Sequence, residues 1–233
     1  MHATSPTTFV LLHGAGGTGA YWSLVAPRLE AAGHRVLAPD LPNEPGVTFR
    51  DQADAVVALA GQAGQAGRVV VVAQSMGAYA GVLAVGRLRA AGLVLLNAMV
   101  PADGESAGDW WEATGQPQAR RDAELAAGRD PDAPFDVETG FLHDVPAAAR
   151  TFLEADGAPA DSLFVEALSL PRWPDVLTTV LTTADDRLFP VAFQQRVARE
   201  RLGLATVVLP GGHLAAVSQP DAVAEAVLAA DVP

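Results

Sequence analysis

Short, uninterrupted apolar runs punctuate the first part of the chain at Phe9–Leu12, Val36–Ala38, Val69–Ala73 and Leu93–Leu96. A half-exposed strand alternates apolar and polar side chains, whereas a strand covered on both faces has no polar side to show, so these runs read as buried strands. Between them Ala53, Val56, Val57 and Ala60 recur at helical spacing and lay one apolar stripe along a helix. This β-α-β alternation predicts a mostly parallel sheet with helices on both faces. The rhythm stops at Met99 and resumes after Trp173 with β-branched Val176–Thr183 and a helix carrying Phe193 and Val197. A strand at Thr206–Leu209 follows, then a helix at Asp221–Ala230 with Pro220 at its first turn. Residues 99–173 hold Trp110, Trp111, Phe135, Phe141, Phe152, Phe164 and Trp173 among many Pro and Gly, with no strand pattern. The expected organisation is therefore a core built from residues 1–98 and 174–233, with 99–173 inserted as a mostly helical cap over one edge of the sheet.

Composition narrows the function classes. With 27 acidic against 15 basic residues the formal charge is −12, and every basic residue is Arg. Such a surface repels phosphate backbones and anionic membranes, so neither nucleic acid nor membrane is an expected partner. The absence of Cys excludes disulfides, thiolate chemistry and Cys-based zinc sites. The stretch Met1–Thr8 carries no Lys or Arg, and the apolar run after it stops at His13, unlike a secretory leader. No apolar run approaches the roughly 18 residues of a membrane span. A cytoplasmic protein acting on a small molecule, without cofactor or metal, is the expectation.

The most informative segment is Val71-Val72-Ala73-Gln74-Ser75-Met76-Gly77-Ala78, where a strand runs into a serine flanked by small residues and then into a helix. That is the pattern of a nucleophile elbow, a strained turn whose neighbours two residues away must be small. Ala73 stands where the usual pattern has Gly. A hydroxyl needs a base within hydrogen-bond reach and an acid to orient that base. Ala184-Asp185-Asp186-Arg187-Leu188-Phe189-Pro190 follows one later strand, and Pro210-Gly211-Gly212-His213-Leu214 follows the next. The order Ser, Asp, His in these loops is that of the α/β-hydrolase fold.

Taken with His13-Gly14-Ala15-Gly16 and Phe193-Gln194, these motifs resemble the small α/β-hydrolases that include plant methylesterases, salicylate-binding esterases and hydroxynitrile lyases. The resemblance covers the sheet portion at both ends of the chain, and the inserted segment carries no recognised signature. It implies Ser75, Asp186 and His213 as catalytic residues, Asp186 being chosen over Asp185 by its spacing to the Phe-Gln pair. It also implies the backbone N–H groups of Ala15 and Met76 as oxyanion donors. The elbow carries Ser75 and not the Asp of dehalogenases and epoxide hydrolases, and His213 is followed by Leu214 and not the Lys of hydroxynitrile lyases. Hydrolysis of a carboxylic ester, lactone or thioester is what remains. Met99, Trp110, Trp111, Phe141, His143 and Phe164 are candidate substrate contacts, the aromatic residues being better suited to the interior of the cap. His13 is read as a structural residue of its turn.

A different class competes. Gly14-Ala15-Gly16-Gly17-Thr18-Gly19 satisfies G-x-G-x-x-G after a strand, with Asp40 at the end of the next one, as in a nucleotide-binding oxidoreductase. That reading leaves the Ser75, Asp186 and His213 motifs as coincidences, and a chain without Lys offers no Tyr-x-x-x-Lys. A catalytically idle hydrolase fold that binds a small apolar ligand is a third possibility.

Overall fold

A computed structural model describes residues 6–62 and 67–230. The outermost residues of the expected core segments, 1–5 and 231–233, lie outside that range. Six strands form one sheet: β1 Thr8–Leu12, β2 Arg35–Leu37, β3 Val69–Gln74, β4 Gly92–Leu96, β5 Leu177–Thr183 and β6 Thr206–Leu209. Their order is β2-β1-β3-β4-β5-β6, and every pairing is parallel. Each strand anticipated from the hydrophobic pattern is present, with ends shifted by a residue at most.

The uninterrupted apolar runs have a direct explanation in two separate interiors. On β3, Val71 and Ala73 enter one core with α2 (Phe49–Gln62), α3 (Gly77–Leu88) and α8 (Val191–Leu202). Val70 and Val72 enter the other, with α1 (Ala26–Ala31), α9 (Ala215–Ser218) and α10 (Pro220–Ala230). Leu12 and Leu95 likewise face the first core, and Leu11 and Leu96 the second. Because both faces are dry, alternation survives in geometry while vanishing from the sequence. Among the described residues no helix is long and apolar enough to cross a membrane.

The chain leaves β1 for β2 on one side and returns to β3 on the other, which opens a crevice beyond the carboxyl ends of β1 and β3. The β3–α3 junction sits there. A Cβ on Gly77 would lie 2.3 Å from the His13 carbonyl oxygen, so the helix can start this close to the β1 loop only with Gly at that position. The methyl group of Ala73, the departure from the usual elbow, is accommodated one helical turn further on. A Cβ on Gly81 would stand 3.0 Å from the Ala73 Cβ, so an absent side chain on α3 makes room for an extra one on β3.

The inserted segment contains helices and no strand, but its helices are short: α4 Asp109–Thr114, α5 Gln116–Ala126, α6 Val137–Gly140 and α7 Ser162–Val165, with a 3-10 stretch at Ala147–Leu153. Pro101, Pro131, Pro134, Pro146, Pro159 and Pro171 repeatedly interrupt helical hydrogen bonding, so much of the segment is loop. Polar links fasten it to the core, two of them against α8 and α3. Arg201 of α8 forms a bidentate pair with Glu105 at 2.6 and 2.7 Å, and Tyr79 Oη donates to the Ser106 carbonyl at 3.3 Å.

Two stability outcomes follow. Gly81→Ala is expected to destabilise by about 1–3 kcal/mol through overpacking, against the ~1 kcal/mol gain usual for Gly to Ala in a helix. In an Ala73→Gly background the same change should become neutral or favourable, and urea titration of the four proteins of the cycle measures the coupling. Glu105→Ala, which strands a mostly buried guanidinium, should cost on the order of 3 kcal/mol, whereas Asp54→Ala, at the exposed pair with Arg87, should cost under about 1.

Candidate active site

The β3–α3 turn holds Ser75 at φ +51°, a left-handed conformation that side-chain-bearing residues seldom adopt. The surrounding structure over-determines it. Ser75 N–H donates to the Leu96 carbonyl at 3.1 Å, and the Ser75 carbonyl accepts from Met99 N–H at 3.0 Å and Ala78 N–H at 3.2 Å. Strain of this kind, about 1–3 kcal/mol, persists only where neighbours enforce it. The result is a hydroxyl lifted off the end of the central strand.

His213 meets it from the loop after β6. Its Nε2 lies 3.1 Å from Ser75 Oγ, and its Nδ1 lies 2.8 Å from Asp186 Oδ2. Because a carboxylate accepts, Nδ1 carries the hydrogen and Nε2 presents a lone pair toward the serine hydroxyl. Asp186 is itself held by three other donors: Leu188 N–H and Phe189 N–H at 2.8 Å on Oδ1, and Gln194 Nε2 at 3.3 Å on Oδ2. Asp185 is exposed, and its carboxylate accepts the Gly211 N–H at 3.3 Å. Ser75, Asp186 and His213 are buried to within a few per cent of complete.

Several residues that sequence reasoning did not single out position this arrangement. Asn97, fully buried at φ +44°, donates to Thr183 Oγ1 and to the Gly212 and His213 carbonyls; Thr183 Oγ1 also donates to Gly212, and Gln74 Nε2 to His213. Asp144, from the inserted segment, accepts the Gly212 N–H at 2.6 Å and the Ser218 hydroxyl at 2.7 Å. The available signal was a lone polar residue at the carboxyl end of an apolar strand, as Gln74 and Asn97 are; Thr183 follows Thr182 on a threonine-rich strand and offered none.

The glycine-rich loop does different work from a nucleotide cradle. No α-helix starts from it: Gly19–Trp22 is a 3-10 turn, and α1 begins at Ala26. Asp40 Oδ1 accepts the Gly19 N–H at 2.7 Å, which engages the carboxylate that would bind a ribose. Gly16, at φ +67°, faces Gly157, whose N–H donates to the Gly16 carbonyl at 2.7 Å; a Cβ on Gly16 would fall 1.9 Å from the Gly157 oxygen. Asn43 secures the same strap, donating to Ala158 O at 3.0 Å and accepting from Ala160 N–H at 2.8 Å. His13 shapes the loop from beneath: Nε2 accepts the Leu41 N–H at 3.0 Å, so Nδ1 donates to the Gly14 carbonyl at 2.9 Å. Burial lowers its pKa, in keeping with that neutral tautomer.

Ser75 and His213 open into a cavity of about 800 Å³, which Ala15 and Met76 also line. Met99, Trp111, Phe141 and Phe164 form part of its wall, and the Phe141 ring stacks on the His213 imidazole at 5.2 Å. Phe135, Leu153, Leu188 and Phe189 complete much of the apolar surface. Two of the sequence candidates lie elsewhere. Trp110 is fully buried against Phe189 and Phe193, with its N–H donated to the Val100 carbonyl at 3.0 Å, because α4 presents Trp111 and not its neighbour to the cavity. His143 packs over Gly212, whose Cβ would come within 2.8 Å of His143 Cε1; it is absent from the cavity wall.

Tyr21, in the cavity wall, accepts the Ala216 N–H at 3.4 Å, and burial pushes its hydroxyl pKa up. Asp156 also lines the cavity, and burial raises its carboxyl to about 6 in spite of the opposing Thr18 N–H. A folded-state value above the ordinary carboxylate range means that the native protein holds this proton more tightly than the unfolded chain. Its contribution to stability therefore falls as pH rises from about 4 to about 6 and stays lost above that. Asp156→Asn should accordingly gain stability relative to wild type between pH 4 and pH 7, measured as the difference in melting temperature at the two pH values.

The family model for the alpha/beta hydrolase family matches residues 9–226. The pyrethroid hydrolase of Sphingobium wenxiniae is 29% identical, over 95% of this chain and 86% of that protein. Among solved structures, polyneuridine aldehyde esterase superposes with a TM-score of 0.75 at 21% identity, covering 97% of this chain and 99% of that one. An extracellular alpha/beta-hydrolase from a Paenibacillus species, described as sharing structural and functional homology with tobacco salicylic acid binding protein 2, gives 0.76 at 23% identity, with the same coverage. The salicylic acid binding protein to which the Paenibacillus hydrolase is likened belongs to the group that the motifs resemble. Sheet order, connection pattern and matched length lead to one conclusion: the chain belongs to the alpha/beta hydrolase family.

Proposed function

We propose that the protein is a carboxylic ester hydrolase that works through an acyl-enzyme on Ser75. The observation that carries this is the hydrogen-bonded run from Asp186 through His213 to Ser75 Oγ, opening onto a largely apolar cavity. In the first half-reaction, His213 Nε2 takes the hydroxyl proton as Oγ bonds to the substrate carbonyl carbon. The tetrahedral oxyanion is received by the N–H groups of Ala15 and Met76, donors of a kind worth about 3 kcal/mol each. His213 then protonates the leaving alkoxide as the carbon–oxygen bond breaks. Water repeats the sequence on the acyl-enzyme, giving up its proton to His213 and releasing the acid. Asp186 keeps the imidazole in one tautomer and stabilises its cationic form.

The aromatic walls favour a bulky apolar acyl or alcohol part. The sequence relative named as a pyrethroid hydrolase supports that choice of substrate size. The strap over Gly16 and the engagement of Asp40 favour this reading over nucleotide chemistry.

A fluorophosphonate probe should label Ser75, and Ser75→Ala should fold normally, resist labelling and lose on the order of 10⁴-fold or more in kcat on an aryl ester. An unlabelled wild type, or hydrolysis undiminished in the variant, would overturn the proposal; the first result with tight ligand retention would point to an idle binder.

A further inference from the structure

Two formally charged side chains line the cavity, Arg120 and Asp156. Arg120 stands on α5, one turn after Gln116, so the two share a helix face, and both reach the cavity wall. The expected partner of Arg120 one turn further on is Glu124, but that carboxylate is engaged by Arg129 at 2.5 and 3.0 Å. The adjacent Arg121 is paired with Asp132. Arg120 donates from Nη2 to the Ala133 carbonyl at 3.2 Å, and none of the arginine–carboxylate pairs among the described residues includes it. In a chain with 27 acidic residues, a guanidinium on a cavity-lining residue that acts on Glu124 only from beyond ion-pair distance, that carboxylate being held by Arg129, is available as a recognition group.

Resting on the ester hydrolase reading, we propose that Arg120 forms an anion subsite, so that preferred ester substrates carry one carboxylate, remote from the scissile carbonyl. The chemistry suits the residue. A guanidinium matches a carboxylate with two parallel N–H bonds, and the bond to Ala133 restrains the group before substrate arrives. The mostly apolar wall of the cavity lowers the local polarity, which strengthens the contact relative to a fully exposed surface pair. The net charge of −12 acts from a distance and is largely screened beyond roughly 8 Å at physiological salt, so it slows the approach of an anion without cancelling a direct contact. Asp156, held by the Thr18 N–H at the glycine-rich loop, limits the class to one negative charge, because a second carboxylate placed beside it would be repelled.

The test compares 4-nitrophenyl hydrogen suberate with its methyl-capped neutral counterpart in wild type and in Arg120→Gln and Arg120→Glu. Losing a charged hydrogen-bond pair should lower kcat/KM for the anionic ester on the order of tenfold, chiefly through KM, and leave the neutral ester within about threefold. Arg120→Glu should reverse the preference. A second arm does not depend on turnover: octanoate and octanamide are titrated into the Ser75→Ala protein by tryptophan fluorescence, with Trp111 in the cavity wall as reporter. Octanoate should bind more tightly, and Arg120→Gln should abolish the difference. Equal effects on both esters, or octanoate binding unchanged by Arg120→Gln, would overturn the subsite. Failure of Ser75-dependent cleavage of the neutral ester would instead sink the hydrolase reading, with the titration still deciding the subsite.

Discussion

The 3.1 Å contact between His213 Nε2 and Ser75 Oγ sets the tolerance to which the rest of the molecule is built. Its two ends belong to segments 138 residues apart, and a misplacement of about 1 Å at such a contact is enough to cost two orders of magnitude in rate. The sheet supplies the coarse alignment. Parallel pairing of β3 with β4, β4 with β5 and β5 with β6 brings the carboxyl ends of these strands to one rim. Fine alignment comes from buried amides and hydroxyls at that rim, where Gln74, Asn97 and Thr183 hold the backbone around His213 from three successive strands.

The sheet was legible because burial on both faces leaves so strong a mark in the amino-acid pattern: Val69–Ala73 and Leu93–Leu96 admit little but a covered strand. Ser75, Asp186 and His213 were legible as candidates because the chemistry proposed for them requires particular residue types in a particular order. Asn97 and Gln74 were not, since one amide after an apolar run has no distinguishing neighbour until the fold brings His213 beside it. The inserted segment was hardest to read. Adjacent residues such as Trp110 and Trp111 differ in role by their facing on a helix only six residues long, too short for periodicity to assign a side. The same holds for His143, drawn from a loop in which its neighbour Asp144 makes the functional contact.

The glycine-rich loop shows why local motifs underdetermine function. Both a dinucleotide site and an oxyanion loop need backbone to approach something closely, and glycine meets that need in either case. What separates them here is the destination of the neighbouring groups: Asp40 turns back to the Gly19 N–H, and Gly157 occupies the face of Gly16. Electrostatics makes a similar distinction between the global and the local. An acidic chain disfavours anions as a whole, yet the cavity wall carries Arg120, which no ion pair among the described residues includes.

Asp144 gives the inserted segment a second significance. Its carboxylate grips the backbone immediately before the imidazole and the hydroxyl of Ser218, while Gly157 grips the loop that carries Ala15. The inserted segment is thus stitched to the loops on both sides of the contact between Ser75 and His213. A graft that exchanged this region for that of another hydrolase, however well it folded, would arrive without those two stitches. Diversification of specificity in such a scaffold has to proceed by altering wall residues between the anchor points and not by replacing the segment wholesale.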